Sequence, residues 1–271
     1  MELNISTGRL SELLSLRLPS TLPDHQLSTI DAYRHAASMF FLSFHNLCDG
    51  FDRLSKTIDD PLEVASLVAP YALNGAWSVL ENGYKCLRIL EKPRGFRKYN
   101  LKKHPRFNDL LKQSYSLRND SQHIDRDILS GSIFPAWGAI CWGQVMIQGA
   151  GENFLNFYVL MPGSERWEYS PPVKTGTREI TYFGPYNIFY ASLFNRANKK
   201  GDYTNSIDLI ELYNMIIFLT DDLTEKLLNV FAEHPEETSA RLGLDIFAKI
   251  SMEKPNSTRE GFLRIALIPR K

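Results

Sequence analysis

Cysteine is scarce in this chain, and the few cysteines present do not suggest a disulfide framework. The 271 residues contain three cysteines, an odd number, at the widely separated positions Cys48, Cys86 and Cys141. Each of them has apolar neighbours in the sequence, which is typical of buried, reduced thiols. Close cysteine pairs with the spacing of a structural zinc site are also lacking. We therefore expect a reducing, cytoplasmic environment.

An excess of charge of either sign is lacking too. Lys plus Arg number 31 and Asp plus Glu number 31, so the formal net charge is zero. A chain without net charge exerts no general attraction on a polyanion such as nucleic acid. Any nucleic-acid site must therefore be a local cluster of basic residues.

The sequence offers no good membrane segment and few of the common catalytic motifs. Its longest stretch without a charged residue, 128–151, contains five glycines and Pro135, so we predict buried strands there rather than a membrane span. The N-terminus lacks the basic segment and apolar run of a signal peptide. No Walker loop, dinucleotide fingerprint or nucleophile elbow occurs. We expect a soluble protein with no membrane partner and no cofactor.

Apolar residues at helical spacing dominate the first half of the chain. From Ser28 they recur every three or four residues, and Ser28 or Thr29 is a candidate N-cap. A second helical stretch follows the turn at Asp59-Asp60-Pro61, and we expect Pro70 to kink or split it. The predicted helices are 28–54, about 61–90, about 107–115 and a fourth that carries residue 118 and ends before residue 131.

The second half begins with β-branched and aromatic runs. Three or four strands separated by turns are predicted over 133–197. A strong helical pattern covers about 205–231, with Asn205 as its cap and Asp208 in its first turn. A terminal strand pair is predicted around Pro255-Asn256. The whole is an α+β fold with an N-terminal arm (1–26), a helical core (27–131), a β-rich insertion (132–200) and a long helix with C-terminal strands (201–271).

The fourth predicted helix carries the most informative polar cluster, Arg118-Asn119-Asp120-Ser121-Gln122-His123. Each residue of a helix advances by about 100° and 1.5 Å. Asn119 and His123 are therefore stacked at i and i+4, and Arg118 flanks them on the same face. A guanidinium, an amide and an imidazole on one face suit cleavage of an RNA phosphodiester without metal.

An arginine, a polar residue directly after it and a histidine a few positions later resemble the motif of the HEPN superfamily of helical-bundle proteins. The two long helices before the motif extend the resemblance to about residues 28–130, and the helix at 205–231 could complete the bundle. The resemblance implies a metal-independent endoribonuclease that acts as a homodimer, with the two motifs meeting across a two-fold axis. A role as a toxin or in phage defence, with an antitoxin partner, is a further expectation. The β-rich insertion departs from a minimal bundle.

Each residue of the motif has a role in this hypothesis. Histidine titrates near neutral pH, so His123 can take a proton from the ribose 2′-hydroxyl or give one to the leaving oxygen. Arg118 can hold the non-bridging phosphate oxygens, and Asn119 can orient the substrate or the imidazole. The alternative is a non-catalytic module in which the same face binds a nucleotide or a partner protein.

A basic stretch precedes the motif. Residues 85–106 contain nine basic residues and one acidic residue, Glu91, and Phe96 and Tyr99 are interleaved with them. Such a segment can bind the backbone and stack on the bases of single-stranded RNA, or it can be an ordinary solvated loop. The candidate nucleic-acid-binding residues are Arg94, Arg97, Lys98, Lys102, Lys103 and Arg106.

Other interpretations of the motif remain open. Arg118 could simply pair with Asp125 or with a neighbouring helix while His123 packs. Glu81, midway along the second helix, could point toward the motif as an acidic partner or could be merely exposed. A metal site at His123, Asp125 and Asp127 is disfavoured, because only the first and last of these share a helix face.

Overall fold

A computed structural model describes most of the helical regions of the chain and a central group of strands. In this part the protein is mainly helical and carries one four-stranded antiparallel sheet, so the predicted α+β class is confirmed. The described residues are 6–18, 22–57, 59–60, 67–91, 105–122, 138–148, 152–161, 186, 188–197, 203–233 and 241–242.

Five α-helices and six strands lie within the described residues. The helices are α1 (Leu10–Ser15), α2 (Asp24–Thr57), α3 (Ala69–Glu91), α4 (Pro105–Gln122) and α5 (Leu209–Glu233). The strands are β1 (Arg17–Leu18), β2 (Ala139–Gln148), β3 (Glu152–Leu160), β4 (Ile188–Ala197), β5 (Tyr203–Asp208) and β6 (Arg241–Leu242).

The long helices α2 and α3 pack antiparallel and form the base of the core. Small residues let their backbones approach closely, because a Cβ atom at Gly75 would lie 3.1 Å from the Cα of Leu47. A Cβ at Gly50 would lie equally close, 3.1 Å, to the Cα of Ala72. The larger buried side chains of the two helices fill the space around these contacts; they include Phe40, Phe44, Phe51, Val79, Leu80 and Leu87.

Helix α5 covers the same core from another side. The ring of Tyr213 stacks on Phe44 with centroids 4.4 Å apart and meets Phe41 edge-on at 5.9 Å. About two turns further along α5, the Tyr33 hydroxyl lies 3.0 Å from the hydroxyl of Thr220 and 3.4 Å from the carbonyl oxygen of Ile216, so this buried polar group is satisfied. Aromatic packing and the hydrogen bonds of Tyr33 thus join α2 to α5.

The four-stranded sheet has the order β3-β2-β4-β5, and each neighbouring pair is antiparallel. One face joins the helical core: Trp142 of β2 stacks on Phe51 of α2 with ring centroids 4.6 Å apart. The opposite face carries a second, smaller apolar cluster around Cys141, Tyr190 and Phe194. Both faces are therefore apolar, which explains the nearly continuous hydrophobic run in β2.

The N-terminal arm is docked against the bundle. Helix α1 packs on α5 and α2. The backbone N–H of Arg9 donates to Asp221 of α5 at 2.7 Å, and the guanidinium of Arg34 of α2 donates to the carbonyl of Leu16 at 2.8 Å. After α1, strand β1 pairs with β6. Two main-chain groups of the arm, the N–H of Arg9 and the carbonyl of Leu16, are thus bonded to side chains of α5 and α2.

The first long helix begins earlier than the sequence suggested. Helix α2 starts at Asp24, and the N–H of Leu27 already donates to the carbonyl of Pro23 at 3.1 Å. Ser28 and Thr29 lie inside the helix, and the Thr29 hydroxyl donates to the carbonyl one turn before it. The predicted N-cap at Ser28 or Thr29 is therefore wrong, because the helix already begins in the turn that follows Pro23.

Pro70 lies in the first turn of α3, which begins at Ala69, where a backbone N–H has no acceptor within the α-helix. The two residues before it, 67 and 68, are in a π-helical conformation. Residues 61–66 lie outside the described part, so the expected kink or split at Pro70 stays a prediction.

Helix α4 is a single continuous helix where the sequence suggested two. It runs through the predicted junction at Tyr115, because its buried positions continue at helical spacing on both sides. Those buried residues are Phe107, Leu110, Ser114 and Leu117. The motif therefore begins near the end of a long helix that is anchored in the core from its first turn.

The start of α5 also differs from the prediction. Residues 203–208 form β5, which pairs with β4, and the helix begins at Leu209. Asp208 is its cap: the carboxylate Oδ1 accepts from the N–H groups of Ile210 at 3.0 Å and Glu211 at 3.1 Å. The predicted cap at Asn205 is wrong, because pairing with a neighbouring strand overrides the local helical pattern.

Three of the predicted strands, β2, β3 and β4, fall inside the β-rich region expected at 133–197. The possible fourth strand of that region and the terminal strand pair around Pro255-Asn256 lie outside the described residues. None of the described helices is long and apolar enough to cross a membrane.

Candidate functional site

Arg118 and Asn119 lie in the last turns of α4, directly after the buried Leu117. Helix α4 packs on α3 and β5 with the face that contains Leu117. Arg118 and Asn119 are therefore at the boundary between core and solvent, and both are partly exposed. This position lets a long side chain reach across to α3 while its end remains at the surface.

The guanidinium of Arg118 is held by two residues of α3. Its Nε donates to the Oε2 of Glu81 at 2.6 Å, a short, charge-assisted hydrogen bond. Its Cζ lies 5.1 Å from the centre of the Tyr84 ring, within the range of a cation–π contact. Glu81 and Tyr84 are neighbours at i and i+3 on α3, so one helix face supplies both contacts.

Glu81 also attracts a second cation. The Nζ of Lys85, one turn further along α3, lies 3.5 Å from its Oε1. The Arg118 side chain is 28% exposed and that of Glu81 is 35% exposed, so water weakens both ion pairs. Two cations around one carboxylate leave the cluster with an excess of positive charge at the surface.

Tyr115 extends the cluster along the surface of α4. It lies one turn before Arg118 and is 57% exposed. Its ring centroid is 6.3 Å from that of Tyr84, and the two rings are tilted by 39°. Arg118, Tyr84 and Tyr115 therefore form a row in which a cation lies over one ring and that ring contacts the next. We call the five residues Glu81, Tyr84, Lys85, Tyr115 and Arg118 the Arg118 cluster.

Sequence reasoning found only part of this cluster. The interpretation that Arg118 pairs with a neighbouring helix is confirmed, and so is the orientation of Glu81 toward the motif. The roles of Tyr84 and Tyr115 were missed. Their spacing in the sequence could have identified them, because residues three apart share a helix face. Tyr84 lies three residues after Glu81, and Tyr115 lies three residues before Arg118.

His123, the third residue of the motif, lies one position beyond the described end of α4, outside the described residues. Asp125 and Asp127 are also outside. The same holds for five of the candidate nucleic-acid-binding residues, Arg94, Arg97, Lys98, Lys102 and Lys103. The sixth, Arg106, lies in the first turn of α4 and forms an ion pair with Glu211 of α5, which offsets its charge.

The cysteines are placed as buried structural thiols. Cys48, Cys86 and Cys141 are unpaired and buried, which confirms the sequence prediction. Burial raises the pKa of all three thiols, that of Cys141 to about 11, so they are protonated near neutral pH and are poor nucleophiles. In the described ranges, no group of three or more His, Cys, Asp and Glu side chains is placed to hold a metal ion.

Comparison of the chain with family models, with curated proteins and with solved structures found no match.

Proposed function

We propose that the surface around Arg118 binds RNA and cleaves it without metal, as an endoribonuclease of HEPN type. The observation that carries the proposal is the anchoring of Arg118 between the Glu81 carboxylate and the Tyr84 ring. A guanidinium oriented before the substrate arrives loses less side-chain entropy when it binds a phosphate. Electrostatic stabilisation of a transition state depends on such preorganisation.

The proposed chemistry needs one base and one acid. His123 removes the proton from a ribose 2′-hydroxyl, whose oxygen attacks the adjacent phosphorus. The bond from phosphorus to the 5′-oxygen breaks, and the leaving oxygen takes a proton from a second imidazole. The products are a 2′,3′-cyclic phosphate and a 5′-hydroxyl. Arg118 offsets the charge that gathers on the non-bridging oxygens, and Asn119 orients the substrate.

One protomer has one His123, so the second imidazole has to come from another copy. We propose a homodimer in which two motifs face each other across a two-fold axis. Such a dimer brings two Arg118 side chains close together, and their repulsion is tolerable because each is paired with Glu81 and because a phosphate lies between them. A toxin or phage-defence role, regulated by an antitoxin protein, fits such a nuclease.

A non-catalytic module that binds a nucleotide or a partner protein is the second candidate. The contact of Glu81 with Arg118 favours it, because a carboxylate 2.6 Å from Nε already offsets part of the charge that catalysis would use. The two functions differ in their need for His123. A nuclease requires its imidazole as an acid or base, whereas a binding module requires only the cation of Arg118.

The test is cleavage of total RNA and of tRNA-sized RNA by purified protein in EDTA. Wild type is compared with His123→Ala and Arg118→Ala. Arg53→Ala is a matched control, because Arg53 also binds a carboxylate, Asp49 at 2.8 Å, and also lies over a tyrosine ring, that of Tyr71 at 5.3 Å. Circular dichroism and thermal melting verify that all four proteins are equally folded.

Cleavage that disappears in both motif variants and persists in Arg53→Ala supports the nuclease. If wild type does not cut, but binds RNA or a nucleotide in a manner lost in Arg118→Ala and kept in His123→Ala, the enzyme proposal is wrong and the binding module is supported.

A further inference from the structure

We propose that Tyr115 is a stacking platform for one base of a single-stranded RNA whose neighbouring phosphate lies at Arg118. The inference rests on the proposed function of the Arg118 cluster and adds the class of substrate, namely unpaired RNA. No role in the motif was predicted for Tyr115, and its exposed side chain contributes little to the core.

Tyr115 is exposed to solvent. Its side chain is 57% exposed although it lies on a helix whose other aromatic residue, Phe107, is completely buried. A single exposed aromatic residue is common on protein surfaces and would mean little by itself. This one stands beside a cation and a second tyrosine, which together are the usual components of a nucleotide subsite.

Tyr84 contacts both Arg118 and Tyr115. The guanidinium of Arg118 lies over the Tyr84 ring at 5.1 Å, and the Tyr84 ring contacts the Tyr115 ring at 6.3 Å between centroids. A base that stacks on the exposed part of Tyr115 adjoins this cluster, and its phosphate can reach the guanidinium because Arg118 lies one turn further along the same helix.

The spacing along α4 places Tyr115 and Arg118 close together. Tyr115 and Arg118 are three residues apart, about 4.5 Å along the helix axis, and they point to the same side. A base and the phosphate next to it can contact both residues at once. In a duplex the faces of each base are covered by its neighbours, so this mode of binding selects single strands, loops or bulges.

The experiment measures equilibrium binding by fluorescence anisotropy in EDTA at fixed salt. One probe is a short single-stranded 2′-O-methyl oligoribonucleotide, which keeps its bases and phosphates but lacks the attacking hydroxyl. The second probe has the same length and backbone but is abasic. The proteins are wild type, Tyr115→Ala, Tyr115→Phe, Arg118→Ala and, as a control, Tyr71→Ala.

We expect Tyr115→Ala to weaken binding of the base-containing probe about tenfold, because stacking on an aromatic side chain contributes on that order. Binding of the abasic probe should stay within about twofold of wild type, and Tyr115→Phe should bind both probes normally. Tyr71→Ala should have no effect, because Tyr71 is 13 residues before Tyr84 on α3, about 20 Å away along the helix axis.

Two results overturn the inference while leaving the proposed function intact. In the first, Arg118→Ala weakens binding of both probes and Tyr115→Ala weakens neither. In the second, Tyr115→Ala weakens both probes equally, which assigns it a role other than stacking. If wild type binds neither probe and does not cleave RNA, the proposed function and the inference are both wrong.

Discussion

The ion pair between Arg118 and Glu81 is better understood as a positioning contact than as a source of stability. Both side chains are partly exposed, and exposed pairs contribute about 0.2–1 kcal/mol to folding. The orientation they impose is of more consequence, because Nε is directed at the carboxylate while Cζ lies over the Tyr84 ring. Removal of the Glu81 charge should therefore strengthen RNA binding and slow RNA cleavage.

Replacing Glu81 by Gln is the test of that role. The change removes one negative charge beside Arg118 and Lys85, so RNA binding at low salt should strengthen by about two- to fivefold. Cleavage under single-turnover conditions should slow at least severalfold, because the guanidinium is less firmly oriented. Glu91→Gln is the matched control, since Glu91 pairs with Arg88 on the same helix. Equal effects of the two substitutions would contradict the positioning role.

Gly138 is a second position where a single residue matters. Its φ is +71°, and a Cβ there would lie 2.8 Å from the carbonyl oxygen of Phe194. Gly138→Ala should lower the free energy of unfolding by at least about 1–2 kcal/mol, measured by urea denaturation. Gly138→Asn separates the two causes, because asparagine tolerates the left-handed region but has the same Cβ. A wild-type urea midpoint in Gly138→Ala would show that neither the φ nor the contact is important.

At the scale of elements, the boundary between β5 and α5 is set by one side chain. Asp208 ends a strand, is 7% exposed, and accepts hydrogen bonds from two N–H groups of the following helix. The first N–H groups of a helix have no partner within it, so a buried helix start needs such an acceptor. The same residue completes the pairing of β5 with β4 through Ser192.

Asp208→Ala should therefore cost about 1–2 kcal/mol of stability and lower the melting temperature by about 2–8 °C. Asp208→Asn should recover most of the loss, because the amide oxygen can accept the same bonds while the favourable charge at the helix start is lost. Thermal melting followed by circular dichroism distinguishes the variants. An alanine variant that melts with wild type would mean that water replaces the cap at no cost.

At the scale of the whole molecule, the arm and the bundle are joined through Arg34. This arginine side chain is 3% exposed, donates to the Leu16 carbonyl at 2.8 Å and contacts Asp31 at 3.3 Å. Burial lowers its pKa, which reflects the cost of placing a cation there. The hydrogen bond to the Leu16 carbonyl and the ion pair with the half-exposed Asp31 both offset that cost.

Arg34→Ala should lower the free energy of unfolding by about 2–4 kcal/mol, because it leaves a cavity and removes the donor to the Leu16 carbonyl. Asp31→Ala should change it by no more than about 0.5 kcal/mol. Limited proteolysis near residue 16 reports separately on release of the arm. If Asp31→Ala is as harmful as Arg34→Ala, the ion pair within α2 contributes as much to stability as the contact of Arg34 with the Leu16 carbonyl.

The buried thiols predict how stability responds to alkaline pH. Burial raises the pKa of Cys141 from 9.0 to about 11, and it also raises the pKa of Cys48 and Cys86. Above pH 9 the unfolded chain therefore releases protons that the folded chain retains. The free energy of unfolding should be at its full value below pH 9 and should fall between pH 9 and pH 11, by up to about 1.4 kcal/mol per pH unit for each thiol.

Urea denaturation at pH 8, 9 and 10 under reducing conditions measures this effect. Cys141→Ala provides the comparison, because it removes one titrating group and should make the decrease with pH less steep. A steeper decrease in this variant than in wild type would contradict the assignment.

How much could be predicted from the sequence depended on how local the determining interactions are. The helical spacing of apolar residues located α2, α3 and most of α5, because an amphipathic helix presents its buried face through residues close in the chain. The alternation of apolar and turn-forming residues similarly located β2, β3 and β4. The termini of these elements were less predictable, since caps and strand partners decide them.

The sequence by itself determined that the protein combines long helices with a group of strands, that its cysteines are buried thiols, and that Arg118 and Asn119 share a helix. Each of these depends on composition or on neighbours within a few residues. Tertiary structure alone decided that Glu81, 37 residues away, binds Arg118. It also decided that Arg106 is paired with Glu211 and that residues 203–208 are a strand. The reason is physical: ion pairs and strand pairing form between chain segments that only the packing of α3, α4 and the sheet brings together.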